Sequence, residues 1–248
     1  MRVAVGMSET KRLEVDVWLD VACPWCALGE RRLDRVIDKL PFGDAVDVRF
    51  HSYQLDPNAP DRATITQAEY LAGRGLDPAK LEASHEHLST AGREIGFEFD
   101  HDAVVPSNTW AAHRMIQAAA AHDVQREVVE ALLSEYFQKG LDVGDSEALK
   151  AVAVAAGLDE DVAQQVVSDP YAFEREVKDD VARAGQLGIQ GVPFYVLDGR
   201  YGVSGAQSAE VFEQALTQVY GEINPTPAPL KTVAGTEGET CGPDGCPV

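Results

Sequence analysis

Between Leu13 and Asp20 apolar and polar positions alternate, with Leu13, Val15, Val17 and Leu19 on one side and Glu14, Asp16, Trp18 and Asp20 on the other. A period of two is the signature of a β-strand. The period then changes: Cys26, Leu33, Val36, Ile37 and Leu40 recur at helical spacing, and Pro41 with Gly43 ends the run. Val46, Val48 and Phe50 alternate with Asp47, Arg49 and His51 in a second strand. A β-α-β unit this short normally sets its two strands parallel.

From about residue 64 to 188 no strand pattern occurs. Helical periodicity predicts helices over Thr66–Gly73, Pro78–Gly92, Ser107–Ala121, Val124–Lys139, Ser146–Ala156, Glu160–Val167 and Ala172–Leu187, several opening on a cap or an early proline such as Pro78, Ser107 or Ser146. Phe194 to Leu197 then reads as a strand, Asp198-Gly199 as a hairpin turn and Arg200 to Val203 as the returning strand. Ser208 can cap a last helix through about Val219. From Glu222 onward Pro, Thr, Gly and Glu dominate, as in a flexible tail. Strands from the two ends can share one sheet if the helical block is an insertion. The expected organisation is one α/β domain in two halves, residues 13–55 and 189–221, with an all-helical insertion over 56–188 and a tail over 222–248.

Composition narrows the function. The 248 residues are 45% hydrophobic and 25% charged, ordinary for a globular chain, but the formal net charge is −20. So negative a surface repels nucleic acid and anionic lipid, so neither is expected as a partner. The N-terminal apolar run is too short for a secretory signal, Met7 could serve as a start, and no stretch approaches eighteen apolar residues. The expected location is the cytoplasm. In that reducing compartment a close cysteine pair is catalytic, redox-sensing or metal-binding rather than structural.

Such a pair stands at the first strand-to-helix turn, in LDVACPWCALG. With Pro24 in the first helical position, Cys23 becomes the N-cap, its sulfur facing unpaired N–H groups and the positive end of the helix dipole. Both favour the thiolate, the nucleophile of disulfide exchange. Cys26 falls on the face shared with Leu33 and Leu40 and is expected to be buried and less ionised. An exposed, acidified Cys23 and a shielded Cys26 suit attack by the first and resolution by the second. A zinc knuckle is the rival reading, but it needs two more ligands. The other cysteines are far away at Cys241 and Cys246, and none of the six histidines stands at knuckle spacing. Gly191-Val192-Pro193 precedes the late strand, where a trans proline would sit awkwardly. A cis bond would expose the Val192 backbone to an extended substrate and set the Pro193 ring beside the sulfurs.

CPWC after a strand, a long helical insertion and then GVPFYVLDGRYGVSGAQ resemble the thioredoxin-fold DsbA superfamily, in particular its FrnE-like branch, from about residue 13 to 221. CPWCALGERRL, SNTWAAHR (Ser107 to Arg114) and YFQKGLDVGDSEALKAVAVAAGLD (Tyr136 to Asp159) strengthen the likeness. The resemblance implies a thioredoxin-like fold interrupted by the helical insertion. It also implies a cytosolic dithiol–disulfide oxidoreductase, with isomerase activity an option, in which Cys23 is the nucleophile and Pro193 is cis. The superfamily also includes 2-hydroxychromene-2-carboxylate isomerases and kappa-class glutathione transferases, which typically carry serine where Cys23 stands. A glutathione-dependent isomerase or transferase is therefore the alternative.

Catalytic positions are thus expected at Cys23, Cys26 and Pro193, and substrate contacts at Pro24, Trp25, Val192, His51, Ser107 and Asn108. Trp25 could line a docking surface or pack against the insertion. Ser107, Asn108, His113 and Arg114 could equally be a cap and a packed helix, and His51 an ordinary strand residue. No cofactor beyond the cysteines is expected, glutathione being open as co-substrate. Expected partners are thiol- or disulfide-bearing proteins or peptides, glutathione or a reductase, with monomer and homodimer both compatible. Cys241-Gly-Pro-Asp-Gly-Cys246 has the composition of a tight turn. The roughly 20-residue linker could stretch to about 60 Å, so this pair could exchange electrons with Cys23–Cys26.

Overall fold

A computed structural model describes residues 10–62 and 64–225. The elements are β1 (Leu13–Leu19), α1 (Pro24–Ile37), β2 (Val46–Ser52), α2 (Gln67–Gly73), α3 (Pro78–Glu94), α4 (Trp110–Ala120), α5 (Gln125–Lys139), α6 (Ser146–Ala155), α7 (Glu160–Ser168), α8 (Glu174–Gln186), β3 (Phe194–Leu197), β4 (Tyr201–Ser204) and α9 (Ala209–Ile223). The four strands form one sheet in the order β2-β1-β3-β4. β1 and β2 are parallel, with Val17 opposite Phe50, while β3 runs antiparallel to both β1 and β4. The two ends of the chain therefore do share a sheet, and the seven helices α2 to α8 are inserted between them.

Local sequence explains most element boundaries. Thr66 and Glu69 close a capping box at the start of α2, and Asp77 caps α3 ahead of Pro78. The β3–β4 hairpin turns on Asp198 and Gly199, both with positive φ (50° and 64°), which a non-glycine residue other than Asn or Asp adopts at a cost. Three expectations need correcting. The cap of α6 is Asp145, not Ser146, its carboxylate taking the N–H groups of Glu147 and Ala148. Helix α4 starts at Trp110 rather than Ser107, because Ser107 donates to Asp142 Oδ1 at 2.6 Å instead of capping. Helix α9 runs to Ile223, past the 221/222 boundary.

Beyond the exposed Glu14 both faces of β1 are buried, so its alternation does not separate core from solvent. Leu13, Val15, Val17 and Leu19 join Tyr195, Leu197, Phe212 and Leu216 on one face. The other carries Trp18 and Val196, which pack with Ala184 of α8 and with Ile189. Trp18 Nε1 also donates to the Asp180 carbonyl at 3.2 Å. Burying side chains of this size contributes about 1.5–3 kcal/mol each, which keeps α8 on the sheet. The main apolar cluster continues from Cys26, Leu33 and Val36 of α1 into Met115 and Ile116 of α4 and Leu132, Leu133 and Tyr136 of α5. Sheet and insertion thus share one core. The exposed edge of β2 is closed by Gln125, whose side-chain amide accepts from Phe50 N–H (2.9 Å) and donates to its carbonyl (2.8 Å).

Candidate active site

Cys23 is the N-cap of α1, with extended backbone (φ −93°, ψ 110°) and Pro24 in the first turn. Its carbonyl accepts the Cys26 N–H at 2.9 Å, so the helix begins between the two cysteines. The sulfur does not fill the cap, and the first-turn N–H groups receive no side-chain hydrogen bond. Instead Cys23 Sγ donates to the Val192 carbonyl at 3.5 Å. Cys23 is only 4% exposed, against the expectation of an open thiol. The loop before β3 covers it: Val192–Pro193 is a cis peptide and Pro193 is buried.

Cys26 is 1% exposed, and both thiols are free. The Cys26 thiol is pushed well up, first by burial, then by the hydrogen bond it shares with Cys23 and by charge on Cys23. A backbone N–H from Asp20 opposes that push, while the Asp20 carboxylate adds to it. Asp20 is itself buried: Oδ2 accepts from Leu55 N (2.7 Å), and Oδ1 accepts from Ala22 N (3.3 Å) and lies 3.3 Å from His113 Nε2. Beside this carboxylate opens a cavity of about 90 Å³, walled in part by Ala22, Gln67, Tyr70, Ser107 and Tyr136.

The remaining expected residues divide. Pro24, Trp25 and Val192 are partly exposed around the cysteines. The Trp25 ring lies 5.4 Å from that of His87 and packs against the Leu28, Leu88 and Ala91 cluster, which joins α1 to α3. Ser107 lines the cavity. Asn108 is fully engaged within the protein, accepting from Gln54 Nε2 and Trp110 N and donating to the Pro57 and Ala59 carbonyls. His51 stands on the α8 face of the sheet, Nε2 at 2.7 Å from Asp16 and Nδ1 at 2.6 Å from Asp180, so neither ring nitrogen is open to a substrate. Arg114 donates to the Asp169 and Ala172 carbonyls. Cys241 and Cys246 lie outside the described residues.

Sequence reasoning missed Asp20 as the partner of His113. A single polar residue after a strand carries no local signal of burial. It also missed Tyr195, whose hydroxyl is buried against α1 at Gly29.

A turn that sets two thiols at the mouth of a helix under a cis-proline loop, in a sheet interrupted by helices, has known counterparts. Residues 14–217 match the sequence profile of the DSBA-like thioredoxin domain. The chain belongs to that family. A probable DsbA oxidoreductase from Streptomyces coelicolor is 36% identical over 96% of this chain and 99% of its own, with a TM-score of 0.78. More distant folds include a 2-hydroxychromene-2-carboxylate isomerase (18% identity over 84% of this chain and 97% of its own, TM-score 0.63). The cytosolic disulfide reductase DsbM from Pseudomonas aeruginosa gives 18% identity over 83% and 97%, with a TM-score of 0.57. No curated protein sequence matches. The DsbA-like family is one of thiol–disulfide oxidoreductases, and among the described residues no cluster of His, Cys, Asp and Glu is arranged to hold a metal, nor is any helix long and apolar enough to cross a membrane.

Proposed function

We propose that this DsbA-family chain exchanges disulfides through Cys23 and Cys26, oxidising, reducing or reshuffling those of proteins or small thiols. One observation carries the reading: two free thiols at the first turn of α1, with Cys23 in contact with the carbonyl of a cis Val192–Pro193 peptide. Cys23 Sγ, as thiolate, attacks a disulfide sulfur of the substrate, forming a mixed disulfide and releasing one substrate thiolate. Cys26 Sγ then attacks Cys23 Sγ, closing the Cys23–Cys26 disulfide and releasing the second substrate thiolate. Two electrons pass from the pair to the substrate, and the reverse order of steps oxidises a dithiol.

The raised Cys26 thiol suits the resolving position, since a buried thiol stays protonated until the mixed disulfide forms. Pro24, Trp25 and Val192 form the rim that a substrate peptide meets. In the approach we infer, Cys23 Sγ gives up its contact with the Val192 carbonyl, which then becomes available to an extended substrate backbone. We place the reaction in the cytoplasm, with no cofactor beyond the two sulfurs. DsbM has been solved with GSH, which makes glutathione the first small thiol to try as reductant.

The test is insulin reduction in the presence of a thiol reductant, by the wild type and by Cys23→Ser. Turbidity from the insulin B chain that appears with the wild type and vanishes in the variant is the expected result. No acceleration by the wild type, together with retained glutathione binding, would overturn the reading in favour of a glutathione-dependent isomerase or transferase.

A further inference from the structure

One buried polar group beside the cysteines has no part in the exchange just described. Tyr195, on β3 two residues after Pro193, is fully enclosed, and its ring meets Phe212 of α9 edge-on at 4.9 Å. Its hydroxyl has no hydrogen-bond partner among the described residues. Leaving a buried donor unpaired opposes folding, and phenylalanine would fill the same volume without that penalty. The backbone nonetheless makes room for the oxygen: a β-carbon at Gly29 would lie 2.2 Å from Tyr195 Oη, 3.1 Å from Pro193 Cγ and 3.4 Å from Ala206 Cβ. The hydroxyl therefore lies between α1 and the cis-proline, against the one residue type that can accept it.

Gly29 is three residues beyond Cys26, on the same side of α1 and about one helical turn away. The Cys26 sulfur, on which negative charge develops and disappears during disulfide exchange, therefore lies on the side of α1 that faces the hydroxyl, without a hydrogen bond between them in the dithiol state. We propose that the Tyr195 hydroxyl is a hydrogen-bond donor reserved for the Cys26 thiolate, with Gly29 as the positioning residue that admits it. In the dithiol state the donor is unpaired. When Cys26 carries charge, either as attacking thiolate or as leaving group, the hydroxyl donates to it. The proton stays on the phenol, and the sulfur bonds formed and broken are those of the proposed exchange. Burial pushes the Tyr195 phenol well up, and charges at Cys26, Glu30 and Cys23 push it further, in keeping with a hydroxyl that stays protonated within electrostatic reach of both sulfurs.

This inference rests on the oxidoreductase reading, and one experiment separates them. In a full-length background carrying Cys241→Ser and Cys246→Ser, reduced protein is mixed with a chromogenic aromatic disulfide in a stopped-flow instrument. The first thiolate released reports attack by Cys23 and the second reports resolution by Cys26. In Tyr195→Phe the first phase should keep its rate, the second should slow about tenfold at pH 7, and the midpoint of its pH profile should rise by about one unit. A second phase within twofold of the parent, with its midpoint unmoved, overturns the inference and leaves the oxidoreductase reading standing. No thiolate release from the parent overturns both. Should Tyr195→Phe fail to fold, 3-fluorotyrosine at position 195, a stronger donor of nearly the same shape, should move the midpoint down, and an unmoved midpoint counts against the inference.

Discussion

The Tyr195 hydroxyl rests directly on the backbone of Gly29, occupying the space a β-carbon would need. This contact couples two residues far apart in sequence and yields a stability prediction independent of any catalytic role. Gly29→Ala should destabilise the protein by about 1–3 kcal/mol, the usual range for overpacking a well-filled core. Adding Tyr195→Phe removes the clashing oxygen and should recover most of that loss. Urea unfolding of the two single variants and the double variant measures the coupling. Additive effects would show that the two side chains do not meet.

A second prediction concerns His51. Burial alone would lower its pKa, but hydrogen bonds to Asp16 and Asp180 outweigh burial and raise it above 6.5. Asp16 is pushed up by burial but held below its ordinary value by His51 and Arg183. A histidine with a raised folded pKa contributes stability that is fully present below about pH 6.5 and is lost as pH rises through the folded value. Asp16 contributes in the opposite sense, from above its ordinary carboxylate range, and that share is lost in acid. The urea midpoint of the wild type should therefore fall as pH rises above about 6.5. In His51→Gln that fall should flatten, with most of the lost stability seen at its acidic end.

Glu30 also makes stability fall as pH rises, but as a buried charge that opposes folding rather than as a lost ion pair. Burial, and after it the charge of Asp34, pushes its carboxyl well above 4.5, and its Oε1 has no partner among the described residues. A carboxyl with a raised folded pKa subtracts stability as pH rises from about 4.5 through that raised value. Glu30→Gln should therefore stabilise the protein at pH 7 and give little gain near pH 4. Thermal unfolding at the two pH values is the check, and equal gains at both would contradict it.

Asn108 should behave as a fastener. Its amide ties Gln54 and the Pro57 and Ala59 carbonyls to the start of α4. Asn108→Ala should cost about 2 kcal/mol and speed proteolysis in the 53–60 segment, while turnover of a small disulfide stays within about twofold. A large loss of turnover at unchanged stability would instead make Asn108 a substrate contact.

The sheet and the placement of the cysteine pair at the first strand-to-helix turn were legible because their signals are local. Strand alternation from Leu13 and Val46, the Asp198-Gly199 turn and proline after Cys23 each act within a few residues, and the elements follow them. What stayed hidden depends on partners distant in sequence. Alternation in β1 separates two sides but is silent on whether α8 covers the second, which is why Asp16 and Trp18 are buried. Ser107 looked like a cap because serine favours that position, yet Asp142 competes for its hydroxyl. The helix rule placed Cys23 correctly at the N-cap and misplaced its sulfur, because the Val192 carbonyl arrives from a loop that local spacing does not orient. Tyr195 reads as one more apolar residue of a buried strand until Gly29 is seen beneath it.

The division of labour between the two sulfurs is tested most directly by trapping. Full-length Cys26→Ser and Cys23→Ser proteins are exposed at pH 7 to a slight excess of a peptide disulfide, and the adducts are located by peptide mass spectrometry, so that Cys241 and Cys246 are read separately. Attack by Cys23 predicts a stoichiometric mixed disulfide on Cys23 in Cys26→Ser and next to none on Cys26 in Cys23→Ser. Adducts forming on Cys26 as fast as on Cys23 would contradict it.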